Sequence, residues 1–117
     1  MRSGRRARFV LCYHPTDEKS VTVGELRFDG EAWTFVYDDE YKRRRDLRPI
    51  EGFDDLERVY RSSALFPFFA VRIPDVHRPD VIRVLAKARL KYPEQADMLR
   101  LFGRSVVSSP SFELLPA

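Results

Sequence analysis

The sequence predicts an α+β fold, a small antiparallel sheet packed with two helices from the C-terminal half. Three observations carry this prediction. Asp29-Gly30, a hairpin-turn dipeptide, sits between two runs rich in aromatic and β-branched residues. Pro79 and Pro93-Glu94 each open a stretch whose apolar residues follow helical spacing. Strand-like runs come first, helices follow and one strand-like run closes the chain, so the order is not a repeating βαβ.

Taken in order, Arg8 to His14 reads as a first strand and Pro15 to Ser20 as a polar loop. Val21 to Phe28 and Glu31 to Tyr37 form the hairpin arms. A two-residue turn would set Phe28 against Glu31, Leu26 against Trp33 and Gly24 against Phe35. Leu26, Phe28, Trp33, Phe35 and Tyr37 then share one face, and Glu25, Arg27 and Thr34 share the other. Val21 and Val23 have the wrong parity for the apolar face, and Gly24 marks a bulge that restores the phase. Asp38 to Arg45 reads as a short helix, Arg48-Pro49 to Gly52 as a break, and Leu56 to Arg61 as a short strand or extended segment. Phe66 to Ala70 reads as a helical turn starting on its proline.

Pro74 and Pro79 bracket a loop, and a helix is expected from Pro79 to about Tyr92. Val81, Ile82, Leu85 and Ala88 would form its buried stripe, with Arg83, Lys87 and Lys91 in solvent. The next helix turns Met98, Leu99 and Phe102 inward, with Gly103 as its terminating residue. A closing strand is expected at Phe112-Glu113-Leu114-Leu115.

At 117 residues, with 44% hydrophobic and 13% aromatic content, one domain over 8–117 is expected, preceded by a disordered basic tail over 1–7. No apolar run approaches the roughly 20 residues of a membrane span. The basic N-terminus lacks a signal-peptide apolar core. Cys12 is the single cysteine. An intrachain disulfide is excluded, a packed thiol is expected, and the cytoplasm is the expected compartment. The net charge of +3 sets 21 basic against 18 acidic residues. Two basic clusters stand out: Arg2, Arg5, Arg6 and Arg8, and Lys42 to Arg45. The second follows Asp38, Asp39 and Glu40, so local neutralisation is expected and direct nucleic-acid binding is not.

Catalytic constellations are not legible. His14 and His77 lack Cys or carboxylate partners at metal-ligand spacing, and no nucleophile elbow, HExxH or phosphate loop occurs. Asp75, Asp80 and Asp97 read as turn or helix-start residues. The expectation is a binding module without enzyme activity, cofactor or metal.

The densest apolar signal is Leu65-Phe66-Pro67-Phe68-Phe69-Ala70-Val71-Arg72-Ile73-Pro74-Asp75. So much apolar surface, stiffened by two prolines, must be covered by the protein's own core or by a partner. Here the chain resembles the N-terminal subdomain of HipA-type toxin kinases. Val23-Gly24-Glu25-Leu26 resembles that subdomain's V-G-E-L segment, and Thr34-Phe35-Val36-Tyr37 resembles its next strand. Phe66 to Ala70 with Arg72 to Asp75 resembles its F-x-x-F-x-N-L-L-P-E segment. Ala96 to Gly103 resembles its D-x-x-L-L-x-x-x-G helix. Ile73 to Asp80 departs from the family's Leu-Pro-Glu-Gly pattern, and no kinase motif occurs.

A free-standing subdomain looks like the HipS-like antitoxins of tripartite systems. The resemblance implies a partner, a HipT-like serine/threonine kinase, with a HipB-like DNA-binding protein in a ternary complex. It implies partner contact through Phe66, Pro67, Phe68, Phe69, Arg72, Asp75 and Arg78, with an aromatic residue wedged against a moving kinase loop. A DNA-binding or transcription-regulating accessory protein, resting on the basic clusters, and a purely structural kinase subunit are the competing expectations.

Overall fold

The computed structural model describes residues 6–117. The expected tail therefore lies almost wholly outside the described residues. Ala7, assigned to that tail, is instead the first residue of a strand and pairs with Phe28.

The architecture is α+β. Among the described residues five strands form one antiparallel sheet: β1 (Ala7–Tyr13), β2 (Val21–Phe28), β3 (Trp33–Tyr37), β4 (Tyr60–Ser62) and β5 (Phe112–Pro116). Their spatial order is β4-β3-β2-β1-β5. Four helices among the described residues accompany them: α1 (Asp39–Lys42), α2 (Pro67–Ala70), α3 (Pro79–Lys87) and α4 (Gln95–Phe102).

The hairpin has the expected face and a different register. Phe28 pairs with Trp33, Leu26 with Phe35 and Gly24 with Tyr37. The connection is thus four residues, Asp29 to Ala32, not two. Asp29 explains the change. Its carboxylate accepts from the backbone N–H of Glu31 and of Ala32, each at 2.8 Å, while its own N–H donates to the Ala32 carbonyl at 3.2 Å. That side-chain capping favours a wider loop over a tight turn, with Gly30 taking the positive φ of 101°. A slip of two residues preserves parity, so the apolar face survives.

Gly24 does mark a bulge. Leu11 pairs with Gly24 while Cys12 pairs with Thr22, so Val23 is skipped and both Val21 and Val23 turn inward. A Cβ at Gly24 would run into the Val36 carbonyl oxygen and lie 2.8 Å from the Phe35 ring, so only glycine fits.

Helices cover one face. Phe9, Leu11, Leu26, Trp33, Phe35, Tyr37 and Leu114 from the sheet pack with Phe53, Phe69, Ala96 and Leu99. A second, small cluster joins Val81 and Leu85 of α3 to Met98 of α4. The α3 stripe is narrower than expected, because Ile82 and Ala88 are exposed. The helix also stops at Lys87 instead of Tyr92. Arg89 takes a left-handed φ of 57°, and the Leu90 N–H reaches back to the Leu85 carbonyl at 3.0 Å, which closes the helix. At α4 the Glu94 N–H donates to the Asp97 carboxylate at 2.9 Å, half of a capping box. Gly103 ends α4 by close approach, not by left-handed backbone: a Cβ there would lie 2.6 Å from the Leu99 carbonyl oxygen.

Candidate interaction surface

The phenylalanine run divides between core and surface. Pro67 opens α2 at its first turn, where a missing donor costs nothing. The single turn that follows points Phe69 straight into the sheet. Its ring lies 5.5 Å from Phe35 and 6.0 Å from Phe53, and the side chain is fully buried. Phe69 is therefore core, and its expected role as a partner contact is corrected.

Phe66 and Phe68 are half-buried and flank it. Phe66 lies edge-on to Phe53 at 5.2 Å, and Phe68 stands edge-on to both Phe69 at 5.2 Å and Phe112 at 5.6 Å. Each such pair contributes about 0.5–1.5 kcal/mol beyond burial, so both rings are anchored while one side stays accessible. Pro67 between them is exposed.

Arg72 also turns inward. It is 3% exposed. One terminal nitrogen donates to the Gly103 and Arg104 carbonyls at 2.9 and 3.2 Å, and the other to the Phe112 carbonyl at 3.4 Å. The Gly103 carbonyl caps the end of α4, where helix termini leave acceptors unsatisfied, and the Arg104 carbonyl also accepts the Leu114 N–H at 2.9 Å. Arg72 thus staples α2 to the α4–β5 connection, and burial lowers its pKa. Its expected role as a flanking partner contact is corrected for this reason.

Asp75 and Arg78 stay on the surface, each in a local contact. The Asp75 carboxylate accepts the His77 backbone N–H at 2.8 Å and faces His77 Nδ1 at 3.0 Å, which lowers its pKa. Arg78 forks onto Asp80 at 3.1 and 2.6 Å, raising its own pKa and lowering that of Asp80. Asp75 does act as a turn residue.

Two clefts flank α2. The first, about 430 Å³, is lined by Glu51, Gly52, Phe53, Phe66, Pro67 and Phe68. The second, about 600 Å³, runs from Val71 and Pro74 past Phe102 to Val106, Val107 and Pro110. Val71 is 59% exposed and Val107 95%. Sequence reasoning missed these two valines. Val71 lies in a run that either the core or a partner must cover, and the short α2 leaves it exposed.

Elsewhere the chemistry is quiet. Burial raises the Cys12 pKa, with Glu113 and Glu40 adding to it, so the thiol stays protonated. His14 Nε2 lies 2.9 Å from Glu113, which also pairs with Arg104. Among the described residues no group of three or more His, Cys, Asp or Glu is placed to hold a metal. No helix among them is long and apolar enough to cross a membrane. Of the expected neutralisation of the Lys42–Arg45 cluster by Asp38, Asp39 and Glu40, the described residues show one pair, Lys42 with Asp39 at 3.8 Å, and the other partners come from elsewhere. Lys42 pairs with Glu57 at 3.2 Å, and Arg44 pairs with Asp46 and Glu18 at 2.7 and 3.0 Å. No family profile, curated protein or solved structure matches this chain.

Proposed function

We propose that this protein is a non-enzymatic regulatory subunit that binds a HipT-like serine/threonine kinase and restrains it as an antitoxin. One observation carries the reading: an accessible apolar ridge of Pro67, Phe68 and Val71 stands between two clefts on a segment that resembles the kinase family's own subdomain. Aromatic anchors set in pockets dominate interface energetics, and losing one costs about 2 kcal/mol or more. Phe68 is the best wedge, because Phe69 and Phe112 hold its ring at a fixed angle and little rotamer entropy is lost on binding. In this reading the protein works in the cytoplasm beside the kinase, with a HipB-like DNA-binding protein as third member. Pressed against a mobile kinase loop, the ridge would oppose closure over nucleotide.

Co-expression with a HipT-like kinase tests this. The wild-type chain should co-purify with the kinase and relieve growth arrest. Val71→Glu, at an exposed site, should abolish both while leaving the circular dichroism spectrum unchanged. Phe68→Ser should do the same where its fold is retained. Co-purification without relief would identify a structural subunit instead. Failure of the wild-type chain to co-purify would sink the proposal.

A further inference from the structure

The uncovered face of the sheet carries a feature that the sequence does not display. In the pairing of β1 with β2, Arg8 stands directly opposite Arg27. Arg8 turns its carbonyl toward β5, accepting from the Ala117 N–H at 2.9 Å. Its pairing with Arg27 is therefore the non-hydrogen-bonded kind, in which side chains lie closest. Like charges in that position repel, and Glu25 bridges the two by pairing with both. Arg27 pairs in turn with Thr34, and Thr34 with Arg61. One row across four strands thus reads Arg8, Arg27, Thr34, Arg61, all on the side away from the helices.

Two more arginines join at the end of the sheet. Arg6 and, from α4, Arg100 line a depression of about 560 Å³ together with Arg8 and Arg27. The side chains of Arg8, Arg27, Arg61 and Arg100 are 45–62% exposed. Their carboxylate partners are fewer. Glu25 is shared by Arg8, at 3.0 Å, and Arg27, while Asp29 pairs with Arg61 at 3.1 Å and Asp97 with Arg100 at 3.4 Å. Among the described side chains, five guanidiniums meet three carboxylates at one end of the sheet, an excess of two positive side-chain charges. In sequence, Arg2 and Arg5 lie just before it.

We propose that this arginine row binds the phosphodiester backbone of duplex nucleic acid. The strands of Arg8 and Arg61 are three spacings apart, about 14 Å. A single phosphate cannot bridge that span, whereas a polyphosphate chain presents charge along all of it. Guanidinium forks suit phosphate oxygens better than ammonium groups do, and every cation in the row is arginine. Its fourth member, Thr34, adds a hydroxyl donor. The row has no aromatic residue on which a base could stack, so contact is to the backbone and independent of base sequence. This surface lies on the side of the sheet away from the α2 ridge, and the inference stands apart from the proposed kinase binding.

The test is fluorescence anisotropy with a labelled 20-base-pair duplex DNA between 50 and 200 mM NaCl. Each phosphate neutralised contributes about 0.9 to the slope of log K against log salt. The Arg8→Gln/Arg27→Gln double variant should reduce that slope by about 2 and weaken binding at least tenfold at 50 mM salt. Arg100→Gln, on the helix, should reduce it by about 1, and it serves as the deciding variant if the double variant misfolds. Arg43→Gln/Arg45→Gln should leave the slope unchanged. The inference is overturned by absence of binding at 50 mM salt. It is equally overturned by an unchanged slope in folded variants, or by equal affinity for polyglutamate, which would mark an acidic-protein surface.

Discussion

The two faces of this sheet share the same five strands and differ in almost every other respect. Toward the helices, Phe35 meets Tyr37, Phe53 and Phe69 with ring centroids 4.6–5.5 Å apart. Away from them, Arg8 and Arg27 share Glu25, Arg61 pairs with Asp29, and half-buried Thr34 stands between Arg27 and Arg61. The difference follows from the period of two along each strand. Adjacent residues see opposite environments, so one set is free to build stability and the other free to carry charge. The apolar face needs its geometry in order to fold. The outer face carries arginines paired with Glu25 and Asp29, charge that the core does not need.

The largest expected effect breaks the inner face. Phe35→Ala removes the ring that joins β3 to Phe53 and Phe69 in a site with no exposure. It should destabilise by about 3–5 kcal/mol, read as a shift of the urea midpoint. A change below about 1 kcal/mol would show that the cluster repacks and that the inner face is not the source of stability.

A smaller effect sharpens the comparison at its polar edge. The Tyr37 hydroxyl donates to the Phe53 carbonyl at 2.6 Å and accepts the Ile50 N–H at 2.9 Å. Burial pushes its pKa up to about 12. Tyr37→Phe leaves both backbone groups without that partner and should cost about 1–3 kcal/mol. Amide exchange at Ile50 should quicken in step. An unchanged exchange rate would mean the 48–53 segment does not depend on this hydroxyl.

The smallest effect belongs to the charged end. The backbone N–H groups of Ala32 and Glu31, with Arg61 beside them, lower the Asp29 pKa from 3.8 to about 2. A carboxylate depressed on folding adds stability above its unfolded pKa and loses it as pH falls toward the folded value. The contribution should therefore be complete above about pH 4 and fade between 3.8 and 2. Wild type and Asp29→Asn should differ in urea midpoint at pH 5 and converge at pH 2. A difference that stays constant across that range would remove the carboxylate from the account. The side chain is solvent-exposed, so the gap should remain well below that of Tyr37→Phe.

Much of the fold was legible because it rests on local physics. The strands at 8–14, 21–28 and 112–115, the bulge at Gly24 and the proline starts of α2 and α3 all follow from short-range pattern. The candidate surface was legible only in part. The Phe-Pro-Phe-Phe run identifies the segment, yet which ring turns inward depends on the single turn of α2 and on what Phe35 and Phe53 offer it. Arg72 looked like a surface cation because its acceptors lie 31–40 residues away along the chain.

By itself, the sequence determined the first, hairpin and closing strands, the proline starts of the helices, and which residues share a face of β2 and β3; it left β4 open and ran α3 too long. Alternation and periodicity are properties of neighbouring residues, and a two-residue slip of register leaves them intact. The tertiary structure alone decided which residues face one another across strands. Asp29 widened the hairpin loop, and that register put Thr34, not another residue, beside Arg27. The order β4-β3-β2-β1-β5 then drew arginines from four separate segments, counting α4, to one end of the sheet. Pairing is set by side-chain packing between segments far apart in the chain, and no local pattern encodes it.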